Sequence, residues 1–122
     1  MSKILLVEDD QALLRMYQVA FKNCGHEFIF AVDGQEGLDK IRKEKPDLVL
    51  LDIVLPKKIG FEVLKEAKGD PKIAKIPTIC LSVLHQKEDI DKCISLGAVD
   101  YIVKADTSPE KVVSKTLSIL SG

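Results

Sequence analysis

Ten residues constrain this chain more than any others: Asp47-Leu48-Val49-Leu50-Leu51-Asp52-Ile53-Val54-Leu55-Pro56. An apolar run this short, without polar alternation, predicts a strand buried on both faces of a parallel sheet. Pro56 breaks the backbone just beyond it. Asp52 then stands at the carboxyl end of a central strand, where open α/β sheets place their ligands. A carboxylate among such neighbours costs free energy unless an opposite charge neutralises it, so the rest of the sequence has to supply one.

The 122 residues, 46% hydrophobic and 30% charged, fit one compact domain over residues 1–122. Eighteen basic and nineteen acidic side chains leave a net charge of −1, which gives no support for a nucleic-acid or membrane surface. No apolar stretch approaches the ~20 residues that span a bilayer. The opening Met1–Val7 is too short for a signal peptide and runs into acids, so a cytoplasmic location is expected. Cys24, Cys80 and Cys93 are odd in number and have no CxxC spacing. They read as reduced thiols packed as small hydrophobes, and neither His26 nor His85 has a cysteine at ligand spacing.

Taken in order, Lys3–Val7 is a second buried strand, ending in Glu8-Asp9-Asp10. Asp10 suits the N-cap of a helix over 11–23, which Cys24-Gly25 would close. Glu8 and Asp9 remain as candidates for holding a cation. A strand over 27–32 follows, and Asp33 with Glu36 forms a capping-box variant opening a helix to about Lys43. After the central strand, a helix over 61–68 carries Phe61, Leu64 and Ala67 at helical spacing. Thr78–Ser82 is a fourth strand, 85–96 a charged helix closed by Gly97, and 98–103 a fifth strand ending at Lys104. Ser108-Pro109-Glu110 starts a last helix with Val112, Val113, Leu117 and Leu120 toward the core.

Strands alternating with helices predict an α/β fold: a doubly wound, five-stranded parallel sheet with five helices. The expected order is the flavodoxin-like 2-1-3-4-5. It makes strands one and three neighbours and gathers Glu8, Asp9, Asp52, Ser82 and Lys104 at one edge. Three carboxylates together raise their pKa values or hold a cation. Hard oxygen ligands on a partly open site favour Mg²⁺, which commonly also takes a phosphate oxygen. Lysine and hydroxyl opposite suit a phosphoryl group, with Asp52 as nucleophile forming an acyl phosphate. Taken singly, each has a plainer use: Lys104 as a surface lysine, Ser82 as a strand-end hydroxyl, Glu8-Asp9 as helix-start charge. Their coincidence at the same end of four strands favours the joint reading.

Here the sequence resembles a family, the receiver domains of two-component response regulators, over essentially its whole length. Leu5-Leu6-Val7-Glu8-Asp9-Asp10 is similar to the family's acidic-pair strand, and Leu50-Leu51-Asp52 with Pro56 and Gly60 to its phosphorylation strand and loop. Ser82, Lys104 and Tyr101 fall on its hydroxyl, lysine and aromatic switch positions. The resemblance implies that Asp9 binds Mg²⁺ directly, Glu8 through water, and Val54 through its backbone carbonyl. It implies that Asp52 accepts a phosphoryl group from a sensor histidine kinase, a phosphotransfer protein or a small acyl phosphate. Lys104 and Ser82 would grip the phosphoryl oxygens, and Tyr101 would turn inward, reshaping the face of the fourth helix, fifth strand and fifth helix for an effector. No independent turnover substrate, direct nucleic-acid contact or membrane contact is implied; a phosphorylation-dependent dimer is left open.

Two positions, 105 and 83, depart from the family pattern, and two variable ones, 54 and 84, are filled here by apolar residues. Ala105 stands where the family usually has proline; a cis bond before a non-proline costs ~3 kcal/mol, so the Lys104–Ala105 peptide is either trans or strained. Val83 is larger than the usual residue and tightens access to Asp52. Val54 and Leu84 are both apolar and cannot orient an attacking water, which predicts a long-lived phosphoryl state. A haloacid-dehalogenase-type phosphohydrolase would want an aspartate at position 54. A flavodoxin would want a hydroxyl- and glycine-rich loop in place of Glu8-Asp9-Asp10. A degenerate receiver acting only as a protein-docking module stays open.

Overall fold

A computed structural model describes residues 2–122; Met1, the first residue of the opening segment, lies outside the described residues. The elements run β1 (Lys3–Val7), α1 (Gln11–Phe21), β2 (Glu27–Ala31), α2 (Gly34–Glu44), β3 (Leu48–Leu51), α3 (Gly60–Lys68), β4 (Thr78–Ser82), α4 (Lys87–Ser95), β5 (Asp100–Val103) and α5 (Pro109–Ser121). All four strand pairings are parallel, in the order β2-β1-β3-β4-β5, as the alternating pattern predicts.

The sheet carries an apolar core on each face. Leu5, Val7, Val49, Leu51 and Cys80 point to one core, with Leu38, Ile41, Val63 and Leu64 from α2 and α3. Ile4, Leu6, Leu48, Leu50, Ile79 and Leu81 point to the other, with Leu14, Tyr17, Phe21 and Val112 from α1 and α5. Leu48 to Leu51 are all 0% exposed, and burying each such side chain contributes about 1.5–3 kcal/mol. That burial fixes the register. Val7 lies opposite Leu51, so the next residues, Glu8 and Asp52, emerge side by side.

Capping explains most helix starts. The carboxylate of Asp10 accepts from the N–H groups of Ala12 and Leu13, Asp33 from Glu36, and the Ser108 hydroxyl from Lys111. Glu36 reaches back to the Val32 N–H, one residue before the cap, which is why the box is a variant.

Several boundaries move from the sequence expectation. Helix α1 stops at Phe21, not Asn23, with Lys22 as its C-cap; Gly25, at φ +86°, turns the chain afterwards. Strand β2 ends a residue early, at Ala31, and α2 runs one residue further, to Glu44, before Lys45 takes a left-handed φ of 45°. Helix α3 opens at Gly60, and Val63 joins Leu64 and Ala67 in the core while Phe61 stays half-buried beneath the Lys92 ammonium. Helix α4 begins only at Lys87 and β5 only at Asp100. In α5 the buried partner of Val112 is Thr116, not Leu117, because its hydroxyl donates to the Val112 carbonyl at 2.8 Å. No peptide bond is cis among the described residues, so the Lys104–Ala105 bond is trans and opens a single 3-10 turn over Lys104–Asp106.

Candidate functional site

Each sequence-predicted group emerges at the carboxyl edge of the sheet, and backbone bonds fix the two central ones. The Glu8 N–H donates to the Ala31 carbonyl at 2.9 Å and the Asp52 N–H to Val7 at 3.1 Å. Asp52 is turned inward by the Ile53 N–H, which donates to its Oδ1 at 2.7 Å. The loop after β3 then folds back, with the Gly60 N–H on the Ile53 carbonyl. A methyl group at Gly60 would stand 2.2 Å from the Asp52 carbonyl oxygen. Only glycine permits that approach.

Lys104 crosses the site. Its ammonium donates to Glu8 Oε1 at 2.6 Å and to Asp52 Oδ2 at 2.8 Å. Glu8 is 1% exposed and Asp52 5%, so this is a buried ionic cluster. The second Glu8 oxygen accepts from the Asp10 N–H, tying the cluster to the start of α1. Burial pulls the lysine toward neutrality, but its bonds to Asp52 and Glu8 outweigh that and leave its pKa above the ordinary value. Burial also pushes the Glu8 carboxyl up, against the opposing pull of Lys104. One ammonium cannot neutralise two carboxylates, and Asp9 adds a third: Glu8, Asp9 and Asp52 each offer an oxygen within 4.8 Å of the others. The surplus negative charge and the all-oxygen donor set fit a hard divalent cation. Asp9 is exposed, so such a site opens to solvent.

Opposite the lysine, Ser82 is 0% exposed and its Oγ accepts from the Leu84 N–H at 3.3 Å. Tyr101 is half-buried, and its hydroxyl donates to the Leu84 carbonyl at 2.7 Å. Burial pushes its pKa up to about 12. The tyrosine is thus already turned toward the β4–α4 segment in this structure. Leu84 links Ser82 and Tyr101 through its backbone, and no side-chain pattern could have pointed to that. Val54 and Val83 are more than half exposed at the site's rim, whereas Leu84 packs against the core.

Thiols packed as small hydrophobes are as the sequence predicts, but two placements escaped it. Cys80 and Cys93 look scattered, yet β4 and α4 place both, free and fully buried, in one core. Tyr17 of α1 is buried beneath the site, and burial raises its pKa.

Comparison with known proteins points the same way. The family described as the response regulator receiver domain matches residues 4–116. The alkaline phosphatase synthesis transcriptional regulatory protein PhoP of Bacillus subtilis is 37% identical over 120 residues, covering 97% of this chain and 48% of that protein. The chain therefore spans about half the length of such curated relatives. Among solved structures, the Mn²⁺-bound form of response regulator Rcp1 has a TM-score of 0.86 at 33% identity, covering 97% of this chain and 93% of the other. The phosphorylated cyanobacterial phytochrome response regulator RcpA has 0.81 at 38%, covering 98% and 88%. With its strand order, its acidic cluster and matches of this extent, the chain belongs to the response regulator receiver domains.

Proposed function

We propose that this domain is a phosphoacceptor switch in which Asp52 takes a phosphoryl group from a sensor histidine kinase or phosphotransfer protein. The observation that carries this reading is the buried Lys104 ammonium shared between Glu8 and Asp52. A domain that only docked partners would have no use for such a cluster, since burying each ion costs several kcal/mol before pairing offsets it.

A carboxylate oxygen of Asp52 attacks phosphorus as the bond to the donor's leaving group breaks, and an acyl phosphate remains. Lys104 pairs with the added charge, and Ser82, released from the Leu84 N–H, donates its hydroxyl to a phosphoryl oxygen. Asp9, with Glu8, Asp52 and the Val54 carbonyl, would hold Mg²⁺, which when bound neutralises charge developing on the phosphoryl oxygens. The Mn²⁺ reported for Rcp1 supports a divalent ion here. Moving Ser82 shifts Leu84, and with it the acceptor of the Tyr101 hydroxyl, so the face formed by α4, β5 and α5 changes for an effector or a second copy. Val54 and Leu84 offer no polar group to a hydrolytic water, so the acyl phosphate is long-lived.

Intact-mass measurement after incubation with acetyl phosphate tests this. One phosphoryl addition is expected with Mg²⁺, none without Mg²⁺ and none for Asp52→Asn. Val54→Asn is expected to shorten the lifetime. Failure of the wild type to gain mass or to bind beryllofluoride would leave docking as the function.

A further inference from the structure

A second charged region lies at the opposite edge of the sheet, where composition gives no hint of it. Two adjoining cavities, of about 320 and 280 Å³, share Lys45 and Lys72. Together they form a groove between the end of α2 and the segment from α3 to β4. Lys75 stands on its rim, and Pro46, Ile73, Ile76 and Pro77 supply apolar lining.

The groove's acids are already committed. Asp47 accepts the Lys3 N–H at 2.7 Å, and Asp70 accepts the Lys72 N–H and the Arg42 guanidinium. Its lysines are not: among the described residues, Lys45, Lys72 and Lys75 have no carboxylate within the 4.0 Å of an ion pair. A helix C-terminus favours cations, which accounts for Arg42, Lys43 and Lys45, but that influence fades beyond the last turn. Lys72 and Lys75 lie past α3, which ends at Lys68.

The wall that presents them is built rather than loose. The Lys68 ammonium donates to the carbonyls of Ala74 and Ile76 at 3.1 and 2.7 Å. The N–H groups of Ile73 and Ala74 donate to the Asp70 carbonyl, and the Arg42–Asp70 pair joins the two walls.

We propose that this groove docks a short acidic segment of a partner protein, anchored by an apolar side chain on Pro46, Ile76 and Pro77. Three free lysines match a few carboxylates. A nucleic-acid backbone is the poorer fit: only a few phosphates could be neutralised, the one arginine is engaged, and no aromatic side chain lines the groove for stacking.

The test is amide NMR titration of the ¹⁵N-labelled protein with a terminally blocked Glu-Leu-Glu-Glu-Leu-Glu peptide, in low salt. Saturable shifts are expected at Lys45 and over residues 72–77, weakening about tenfold as screening shortens between 50 and 300 mM salt. The Lys72→Glu/Lys75→Glu double variant should lose them while keeping acetyl phosphate labelling of Asp52. Lys45→Gln should weaken them several-fold. The proposal is overturned by no saturation at peptide above about 1 mM, or by equal binding of the Gln-for-Glu peptide. Equal or tighter binding of duplex DNA, or of inorganic phosphate alone, would likewise overturn it.

Discussion

Two glutamate–lysine pairs sit at opposite edges of this sheet, and their chemistry differs although their geometry does not. Glu8 and Lys104 meet at 2.6 Å and Glu44 and Lys3 at 2.9 Å. The side chains of the first pair are 1% and 9% exposed, those of the second 32% and 28%. Burial raises the Glu8 carboxyl despite its lysine, whereas the Lys3 hydrogen bond lowers that of Glu44. Desolvation therefore decides what a charge pair is for. Kept wet, it is a surface contact that salt screens. Buried with one carboxylate too many, it is a site that wants a further cation.

The largest effect that could break this contrast comes from removing the buried ammonium. Lys104→Met leaves Glu8 and Asp52 facing each other without a counter-charge. We expect a loss of about 3 kcal/mol in urea unfolding at neutral pH without divalent ions, in the range for breaking a buried pair. The loss should shrink on acidification, because a carboxyl can then take up the missing positive charge as a proton. A change below about 1 kcal/mol at neutral pH would place the cluster with ordinary surface pairs.

Next in size is a backbone test of the same edge. Gly60→Ala drives a methyl group against the Asp52 carbonyl and the Ile53 Cα, which lie 2.2 and 2.6 Å from where it would stand. Forcing a group into packed surroundings costs typically 1–3 kcal/mol, and here the parts that must yield carry Asp52, the proposed phosphoacceptor. About 2 kcal/mol of destabilisation is expected, with slower labelling of Asp52 by acetyl phosphate. Unchanged stability with unchanged labelling would mean that the loop is not held as tightly as the Ile53–Gly60 bond implies.

How legible each edge was in the sequence follows from the same physics. Buried strands announce themselves, so Leu48–Leu51, and hence the position of Asp52, could be read from an uninterrupted branched apolar run. Strand order followed from alternation, and it brought Glu8 beside Asp52. Helix ends were less legible: α1 stops at Phe21, where its apolar stripe ends, and the glycine expected to close it turns the chain later, at Gly25. Leu117 looked like core by spacing, yet Thr116 takes the buried position by bonding its hydroxyl to its own helix. Contacts made through backbone atoms, such as Leu84 between Ser82 and Tyr101, carry no side-chain signature. The basic groove was hidden for another reason: its lysines come from two loops distant in sequence, and the acids at the far edge cancel them in the net charge.

The smallest effects expected are those of the exposed pair, and they sharpen the contrast by their sign. Lys3→Met should leave the urea midpoint at neutral pH unmoved within scatter, with only a slight loss of acid resistance. Because the folded Glu44 carboxyl gives up its proton more readily than the unfolded one, its contribution is present above the ordinary glutamate range. It is lost as pH falls through the lowered value. Glu8 runs the other way. Its folded carboxyl holds a proton to higher pH than the unfolded one, so its contribution is full below the ordinary range and lost as pH rises through the raised value. Glu8→Gln, a permanent stand-in for the protonated form, should therefore gain on the wild type as pH rises from about 4 toward 7 in the absence of divalent ions. Carboxyl NMR titrations of both glutamates read the two signs directly. If Glu8 and Glu44 titrate on the same side of the ordinary value, burial is not what separates the two edges.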